Sequence, residues 1–104
     1  MIVVNTDTIY GRQIQPLSLV QGSTVQTVNA IRDIGASFKT LVGGEIVKYN
    51  EMMANARELA TQRMIAQAEA MGADAIVGVR YASAAIMQGA AEVIAYGTAV
   101  KIIG

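Results

Sequence analysis

Cysteine and histidine are both absent from this 104-residue sequence, and each absence excludes a class of chemistry. Without cysteine no disulfide can form, which is compatible with a reducing compartment. Without thiolates or imidazoles the chain has no strong ligand for zinc or copper, and Ser–His–Asp and Cys–His mechanisms are excluded. Carboxylates, carbonyls and hydroxyls remain, and these suit Mg²⁺, Ca²⁺ or Mn²⁺. We therefore predict no catalytic residue, no resident cofactor and no soft-metal site.

Charge is also scarce, and its two signs balance. Charged residues make up 15% of the chain, with eight acids, eight bases and a pI near 6.1. No basic block is present, which argues against nucleic acid as a partner. The N-terminal run MIVVNTDTIYG lacks a basic n-region, and the longest uncharged stretch, residues 13–31, is too polar to span a bilayer. These features predict a cytoplasmic protein that binds neither nucleic acid nor membrane.

Apolar residues are in excess for so small a chain. They make up 53% of the sequence, whereas the charged fraction falls well short of the usual value of about 25%. The length indicates a single domain, residues 1–104. A domain of this size has too much surface to hide all of these side chains internally. An alanine-rich core is one explanation. We favour the other, in which part of the apolar surface faces a second copy of the chain.

The strongest structural signal is a helix from about Val47 to Met71, ended by Gly72. Apolar and small residues recur here at spacings of three and four, which places them on one face of a helix. That face consists of Tyr49, Met53, Ala56, Ala60, Met64, Ala68 and Met71. The opposite face is expected to lie in water and carries Glu51, Glu58, Gln62 and Glu69. Alanine and methionine suit close contact with a sheet or another helix.

Four strands are predicted, over residues 1–6, 13–21, 74–82 and 92–103. Proline has no N–H to donate, so Pro16 predicts that the second strand lies at an edge or carries a bulge. Gly22 and the Ser/Thr-rich stretch after it are expected to end or bend that strand. The last two strands are apolar on both faces, which predicts burial on both sides. The residues between them are predicted to form a loop that turns at Gln88-Gly89.

Two further predictions concern a second, shorter helix and the two faces of the strand 74–82. A shorter helix is expected to end at Gly43-Gly44, because four apolar residues before that point recur at helical spacing. These residues are Ile31, Ile34, Phe38 and Leu41. In the strand 74–82, simple alternation places Ala75, Val77, Val79 and Tyr81 on one face. The elements together predict an α+β fold.

Several runs resemble the YbjQ-like family of small bacterial and archaeal proteins, which are largely uncharacterised and often labelled as heavy-metal-binding. These runs are NAIRDIGASFKTLVGGE, YNEMMANAREL, GADAIVGVRY and AYGTAV, and the resemblance covers about residues 22–102. The resemblance implies a dodecin-like two-layer subunit, in which a small, mostly antiparallel sheet packs on one long and one shorter helix. It also implies a ring-shaped homo-oligomer of five subunits and no established enzymatic activity. The heavy-metal label disagrees with a chain that lacks cysteine and histidine.

The polar residues that match the family are candidates for a ligand site or a subunit interface. They are Asn29, Arg32, Asp33, Tyr49, Arg57 and Glu58. In one hypothesis Arg32 and Arg57 bind an anion, helped by backbone N–H groups of the Gly43-Gly44 turn. In the other, these charges form salt bridges that fix the ring geometry. We favour the second, because charge pairs in oligomers most often set register and specificity.

Arg63 and Gln67 lie at the edge of, or within, the apolar face of the long helix, where polar side chains are unexpected. They either line a polar pocket or channel at an oligomer axis, or extend their polar ends to water. We favour the second interpretation. The acidic row of the helix is expected to be a solvated face in preference to a divalent-cation site.

Two functional classes stay open. The first is a non-catalytic oligomer that holds a small ligand or a hard divalent cation at its subunit seams or in the ring interior. The second is an enzyme with acid–base and anion-binding groups at a subunit interface, since carboxylate and tyrosine chemistry needs no histidine. Its candidate groups are Asp33, Tyr49, Arg57 and Glu58.

Overall fold

The computed structural model describes residues 1–27, 44–87 and 89–104, which form a four-stranded mixed sheet with one helix packed on it. The elements are β1 (Ile2–Val3), β2 (Ile14–Thr27), α1 (Gly44–Ala70), β3 (Ala75–Met87) and β4 (Ala90–Ile102). The strand order is β1-β3-β4-β2. β1 pairs with β3 in parallel, and the other neighbours are antiparallel. The α+β class is confirmed. The shorter helix predicted before Gly43 lies outside the described residues.

The long helix is confirmed, although it begins at Gly44, three residues before the predicted start. Four residues of its predicted apolar face are fully buried, and these are Ala56, Ala60, Met64 and Ala68. Its predicted wet face, the row of Glu51, Glu58, Gln62 and Glu69, is exposed. Gly72 ends the helix with a φ of +77°, and the N–H of Ala73 donates to the carbonyl of Ala68 at 3.1 Å. This is the bond pattern of a glycine-ended helix, because glycine adopts positive φ at little cost.

β2 runs without interruption through Gly22, so the expectation that the strand ends there was wrong. Gly22 pairs with Ala95 of β4 and is buried beneath α1. A Cβ at this position would overlap the carbonyl of Ala60 and the amide of Met64, and would lie 2.7 Å from the Cβ of Arg63. Glycine is needed here because the strand crosses directly under the helix backbone.

The prediction for Pro16 is confirmed. β2 is an edge strand, and its register with β4 shifts between Pro16 and Ser18. Proline has no N–H to donate to a neighbouring strand. At this position the pairing of β2 with β4 is already irregular, so the missing N–H interrupts no regular stretch of hydrogen bonds.

β3 and β4 form a longer hairpin than predicted, and the expected loop over residues 83–91 was wrong. Ser83 pairs with Val93 and Ala84 pairs with Glu92, so both strands continue to the turn that contains Gly89. Alanine and serine have low intrinsic strand preference, which favours a loop in a sequence-based prediction. Cross-strand pairing decides the outcome instead, because strand propensity depends strongly on context.

The predicted alternation along β3 fails at Gly78. This residue has a φ of +62°, and the register with β4 shifts between Val77 and Arg80. One extra residue at a bulge turns every later side chain to the other face of the sheet. As a result Val77 lies on the face away from α1, whereas Val79 belongs to the core beneath the helix.

Buried clusters lie on both faces of the sheet. The inner face, which contacts α1, carries the main cluster, in which Val20, Ile76 and Val93 pack against the helix. The opposite, outer face carries a smaller cluster built on Ala75, Val77 and Val100. The N-terminal segment, residues 1–13, covers it with Val4 and Ile9, and Ile14 of β2 packs against the same cluster. The two-sided burial predicted for β3 and β4 therefore holds only where the N-terminal segment reaches.

Candidate functional site

The part of the outer face that the N-terminal segment does not cover carries several exposed apolar side chains among polar ones such as Gln21 and Ser23. Leu19 and Val25 of β2 are 65% and 56% exposed, and Met87 of β3 is 65% exposed. Between the strands lies a shallow groove lined by Ala82, Ser83, Ala84, Glu92 and Ile94. Its lining contains one carboxylate and is otherwise small or aliphatic. Such a surface suits an apolar contact better than the recognition of a charged ligand.

β3 has one edge that is only partly paired. The N–H of Val79 donates to the carbonyl of Val4 at 3.1 Å, and the N–H of Gly78 donates to the carbonyl of Thr6 at 2.8 Å. Beyond Val79, within the part of the chain that the structure describes, no strand pairs with this side of β3. We call residues Arg80–Met87 of β3 the open edge. Every side chain along it is exposed.

β2, the strand at the other end of the sheet, has its edge occupied by two side chains from α1. The Oε1 of Gln67 accepts a hydrogen bond from the N–H of Gln21 at 2.7 Å. The Nη1 of Arg63 donates to the carbonyl of Ser23 at 2.7 Å. These contacts explain why two polar residues border the apolar face of the helix. Both are exposed, and both bind main-chain groups of their own chain.

A hydrogen bond that the sequence did not indicate joins α1 to β3. The hydroxyl of Thr61 donates to the carbonyl of Arg57 at 2.7 Å. Because this uses its only proton, the hydroxyl of Tyr81 donates to the Thr61 oxygen, 2.8 Å away. The bulge at Gly78 turns Tyr81 towards the helix, and no spacing in the sequence reveals that shift.

Arg80 fastens the N-terminal segment at the start of the open edge. Its Nη1 donates to the carbonyl of Asn5 at 2.9 Å and to the carbonyl of Val79 at 3.1 Å. The guanidinium therefore lies on the side of β3 that faces away from β4. Among the described residues, it marks the last point at which another segment covers this side of β3.

Among the family-matching candidates that the structure describes, Tyr49 lies apart from Arg57 and Glu58 along α1. Tyr49 is half-buried and packs against Met52 and Ala91. Arg57 and Glu58 are exposed, and the Oε2 of Glu58 accepts a hydrogen bond from the side chain of Gln62 at 2.9 Å. Tyr49 lies eight residues from Arg57, about 12 Å along the helix axis. Asn29, Arg32 and Asp33 lie outside the described residues.

The donor set does not fit a soft heavy metal. Cysteine and histidine are absent from the chain, and no cluster of three or more acidic side chains occurs in the ranges 1–27, 44–87 and 89–104. Methionine thioethers are the remaining soft donors. Met64 lies in the main core and Met52 in a separate small cluster, whereas Met87 is exposed at the end of the hairpin. The thioethers of these three methionines lie in different parts of the fold and do not form a shared donor set.

Hydropathy gives one further result. Of the helical segments that the structure describes, none combines the length and apolar character needed to cross a bilayer.

Comparison with known proteins identifies relatives along the whole chain. A family model described as "Putative heavy-metal-binding" matches residues 1–103. A UPF0145 protein of Clostridium novyi is 59% identical over 103 residues, which cover 99% of this chain and 100% of the relative. UPF0145 proteins of Alkaliphilus metalliredigens and Clostridioides difficile are 53% and 52% identical, over 100% and 92% of their lengths and 99% and 98% of this chain.

A solved structure shares the fold. It is a protein of unknown function of the DUF74 family from Pediococcus pentosaceus, with a TM-score of 0.74 and 19% sequence identity. The similarity covers 99% of this chain and 98% of that protein. The full-length match to the family model and the identity to several UPF0145 proteins lead to one assignment: this chain belongs to the YbjQ family.

Proposed function

We propose that this chain is a non-catalytic, cytoplasmic subunit of a homo-oligomeric ring. The resemblance implies five subunits. In this proposal the subunit seams or the ring interior hold a small ligand or a hard divalent cation. The observation that carries it is the exposed apolar part of the outer face, which continues onto the open edge of β3. A chain with so few charges leaves this surface without the polar cover that a lone domain normally has.

The energies involved favour association. Burying one Val, Leu or Met side chain contributes about 1.5–3 kcal/mol, and several such side chains are exposed on this surface. Bringing two proteins together costs about 4–15 kcal/mol in lost freedom of motion. A contact that covers Leu19, Val25 and Met87 of one subunit offsets part of that cost. Ring closure adds further contacts without a new partner molecule.

The donor chemistry supports a hard cation over a soft one as the metal in this proposal. Glu92 is the carboxylate that lines the groove on the outer face. Oxygen donors from one subunit are too few there for a six-coordinate cation, which needs about six oxygens. Convergence of Glu92 from neighbouring subunits is the arrangement that would supply them. An uncharged small ligand needs only the apolar lining of the same groove.

Native mass spectrometry combined with light scattering tests the proposal. We expect a closed assembly at a multiple of the 10.9 kDa chain mass, with five copies as the expected number. Any ligand or cation retained at the seams adds its own mass to the same spectrum. A stable 10.9 kDa species at micromolar concentration in both measurements would overturn the proposal.

A further inference from the structure

The bulge in β3 is built from glycine on both strands. The register with β4 leaves Gly78 and Val79 opposite the single residue Gly97. Gly78 supplies the positive φ, +62°, that the extra residue adopts. A Cβ on Gly97 would lie 2.9 Å from Cγ2 of Ile76 and 3.1 Å from Cγ2 of Val79. The missing side chain of Gly97 therefore leaves room for Val79 to enter the core beneath α1.

The bulge turns two consecutive N–H groups of β3 towards the N-terminal segment. In a regular strand, consecutive N–H groups point to opposite sides. Here the N–H of Gly78 donates to the carbonyl of Thr6 at 2.8 Å, and the N–H of Val79 donates to the carbonyl of Val4 at 3.1 Å. The N-terminal segment can accept both bonds only while the bulge is formed.

The two residues after the bulge fasten two different elements. The Nη1 of Arg80 donates to the carbonyl of Asn5 at 2.9 Å and so holds the N-terminal segment. The hydroxyl of Tyr81 bonds to the hydroxyl of Thr61, 2.8 Å away, and so holds α1. Without the extra residue, these two side chains of β3 would exchange faces. Both contacts therefore depend on the same local geometry.

We propose that the bulge at Gly78 is a conformational coupling device, which joins the docking of the N-terminal segment on the outer face to the attachment of α1 on the inner face. When the N-terminal segment leaves β3, the N–H groups of Gly78 and Val79 lose their acceptors and no longer hold the positive φ in place. The bulge, the N-terminal segment and the Tyr81 contact then open as one cooperative unit.

Coupling of this kind is reciprocal, so a change that weakens either contact weakens the other. Its effect on the surface is specific, because the N-terminal segment covers the outer cluster of Ala75, Val77 and Val100. Loosening the contact between Tyr81 and α1 on one face therefore uncovers apolar side chains on the opposite face. The inference concerns a single chain and is independent of the proposed assembly.

A pair of glycines provides the first test. Gly78 and Gly72 both have positive φ, +62° and +77°. An added Cβ meets nothing within 4 Å at Gly72 and only the Oδ1 of Asp7, at 3.7 Å, at Gly78. Alanine therefore introduces similar backbone strain at both positions. We expect Gly78→Ala to speed hydrogen exchange of the Val79 N–H at least about fivefold, and Gly72→Ala to leave it within about twofold.

The side chain of Tyr81 reports the inner face in the same variants. The ¹³C shift of its Cζ depends on the hydrogen bond of the hydroxyl, and Tyr10, which is fully exposed, supplies the shift of a tyrosine in water. In Gly78→Ala the Tyr81 signal is expected to move towards that of Tyr10. Gly78→Asn is expected to show smaller changes in both readouts, because asparagine adopts positive φ more readily than alanine.

Reciprocity provides the second test, with variants that keep the bulge. Tyr81→Phe removes the hydroxyl on the inner face and is expected to speed exchange of the N–H groups of Gly78 and Val79 about twofold to fivefold. Ile9→Ala trims the N-terminal segment on the outer face and is expected to shift the Cζ signal of Tyr81. Gln67→Ala is the control, since it removes a hydrogen bond at the other end of the sheet. It should change neither readout.

Each result decides the inference. If Tyr81→Phe leaves the exchange of the Gly78 and Val79 N–H groups unchanged, the two faces are not coupled. The same conclusion follows if Gly78→Ala releases the N-terminal segment while Tyr81 keeps its signal. Should Gly78→Ala fail to fold, Tyr81→Phe and Ile9→Ala decide the question, because both leave Gly78 in place.

Discussion

Gly22 of β2 lies directly beneath the carbonyl of Ala60, so close that the strand and the helix backbone leave no room for a Cβ. Helix and sheet usually meet through side chains. At Gly22 they meet through main chain, and the buried alanines of α1 are small enough to allow a close approach elsewhere along the helix. The position of α1 over β2 and β4 depends on this contact.

Gly22→Ala is therefore expected to destabilise the fold. The added methyl group meets backbone atoms of Ala60 and Met64, which cannot rotate away as a flexible side chain can. We expect the free energy of unfolding to fall by about 2–3 kcal/mol, the upper part of the range for overpacked cores. Urea denaturation measures it, with Ser23→Ala on the exposed side of the same strand as the control. Equal midpoints for the two variants would contradict the prediction.

The hydrogen bond between Thr61 and Tyr81 is expected to couple α1 to β3. Removing the hydroxyl in Tyr81→Phe should lower the free energy of unfolding by about 0.5–1 kcal/mol, since the pair is partly exposed. Thr61→Val and the double variant complete a double-mutant cycle. Tyr96→Phe, an exposed tyrosine on the outer face, serves as the control. If the effects of the two single substitutions simply add in the double variant, this bond does not tie the helix to the strand.

Gln67 is expected to protect the edge of β2 through the N–H of Gln21. In Gln67→Ala that N–H faces water, and its hydrogen exchange should rise about fivefold, equivalent to about 1 kcal/mol. The control is Gln62→Ala, because the side chain of Gln62 donates to Glu58 on the same helix. If the exchange rate of the Gln21 N–H is unchanged in Gln67→Ala, the hydrogen bond does not protect the edge of β2. Gln67 would then be a candidate ligand residue again.

Zinc and copper(II) are expected to find no tight site on the purified protein, because the chain has neither thiolate nor imidazole to offer. Isothermal titration calorimetry at pH 7 should show no stoichiometric binding with a dissociation constant below about 1 µM, the affinity that corresponds to about −8 kcal/mol. Parallel titrations with Mg²⁺ and Mn²⁺ test the hard-cation alternative. A stoichiometric sub-micromolar zinc complex would show that the oxygen donors of several subunits form a site that the single chain does not reveal.

Local pattern was sufficient where neighbours along the chain decide the structure. The buried face of α1 follows from residue spacing, and its end follows from the positive φ that Gly72 adopts readily. Pro16 at an irregular edge follows from a missing N–H. These features could be predicted because their physical causes lie within a few residues of one another.

Pattern failed where two distant segments meet. Alternation along β3 gave the wrong face for Val79 and Tyr81, because the bulge at Gly78 forms where the N-terminal segment pairs with that strand. The long hairpin was missed because alanines and serines become strand only when β4 pairs with them. For the candidate site, Arg63 and Gln67 were identified as unusual, but their partners on β2 lie 40 and 46 residues away along the chain.

The sequence by itself determined the fold class, the faces and end of the long helix, the absence of thiolate and imidazole chemistry, and the family. Each depends on composition, local spacing or quoted motifs. Only the tertiary structure decided which sheet edge is occupied and which is open. The reason is that a sheet edge is defined by the segments that pair with it across the fold. No local sequence pattern shows that Gln67 reaches Gln21. Nor does one show that, past Val79, no described strand pairs with the side of β3 that faces away from β4.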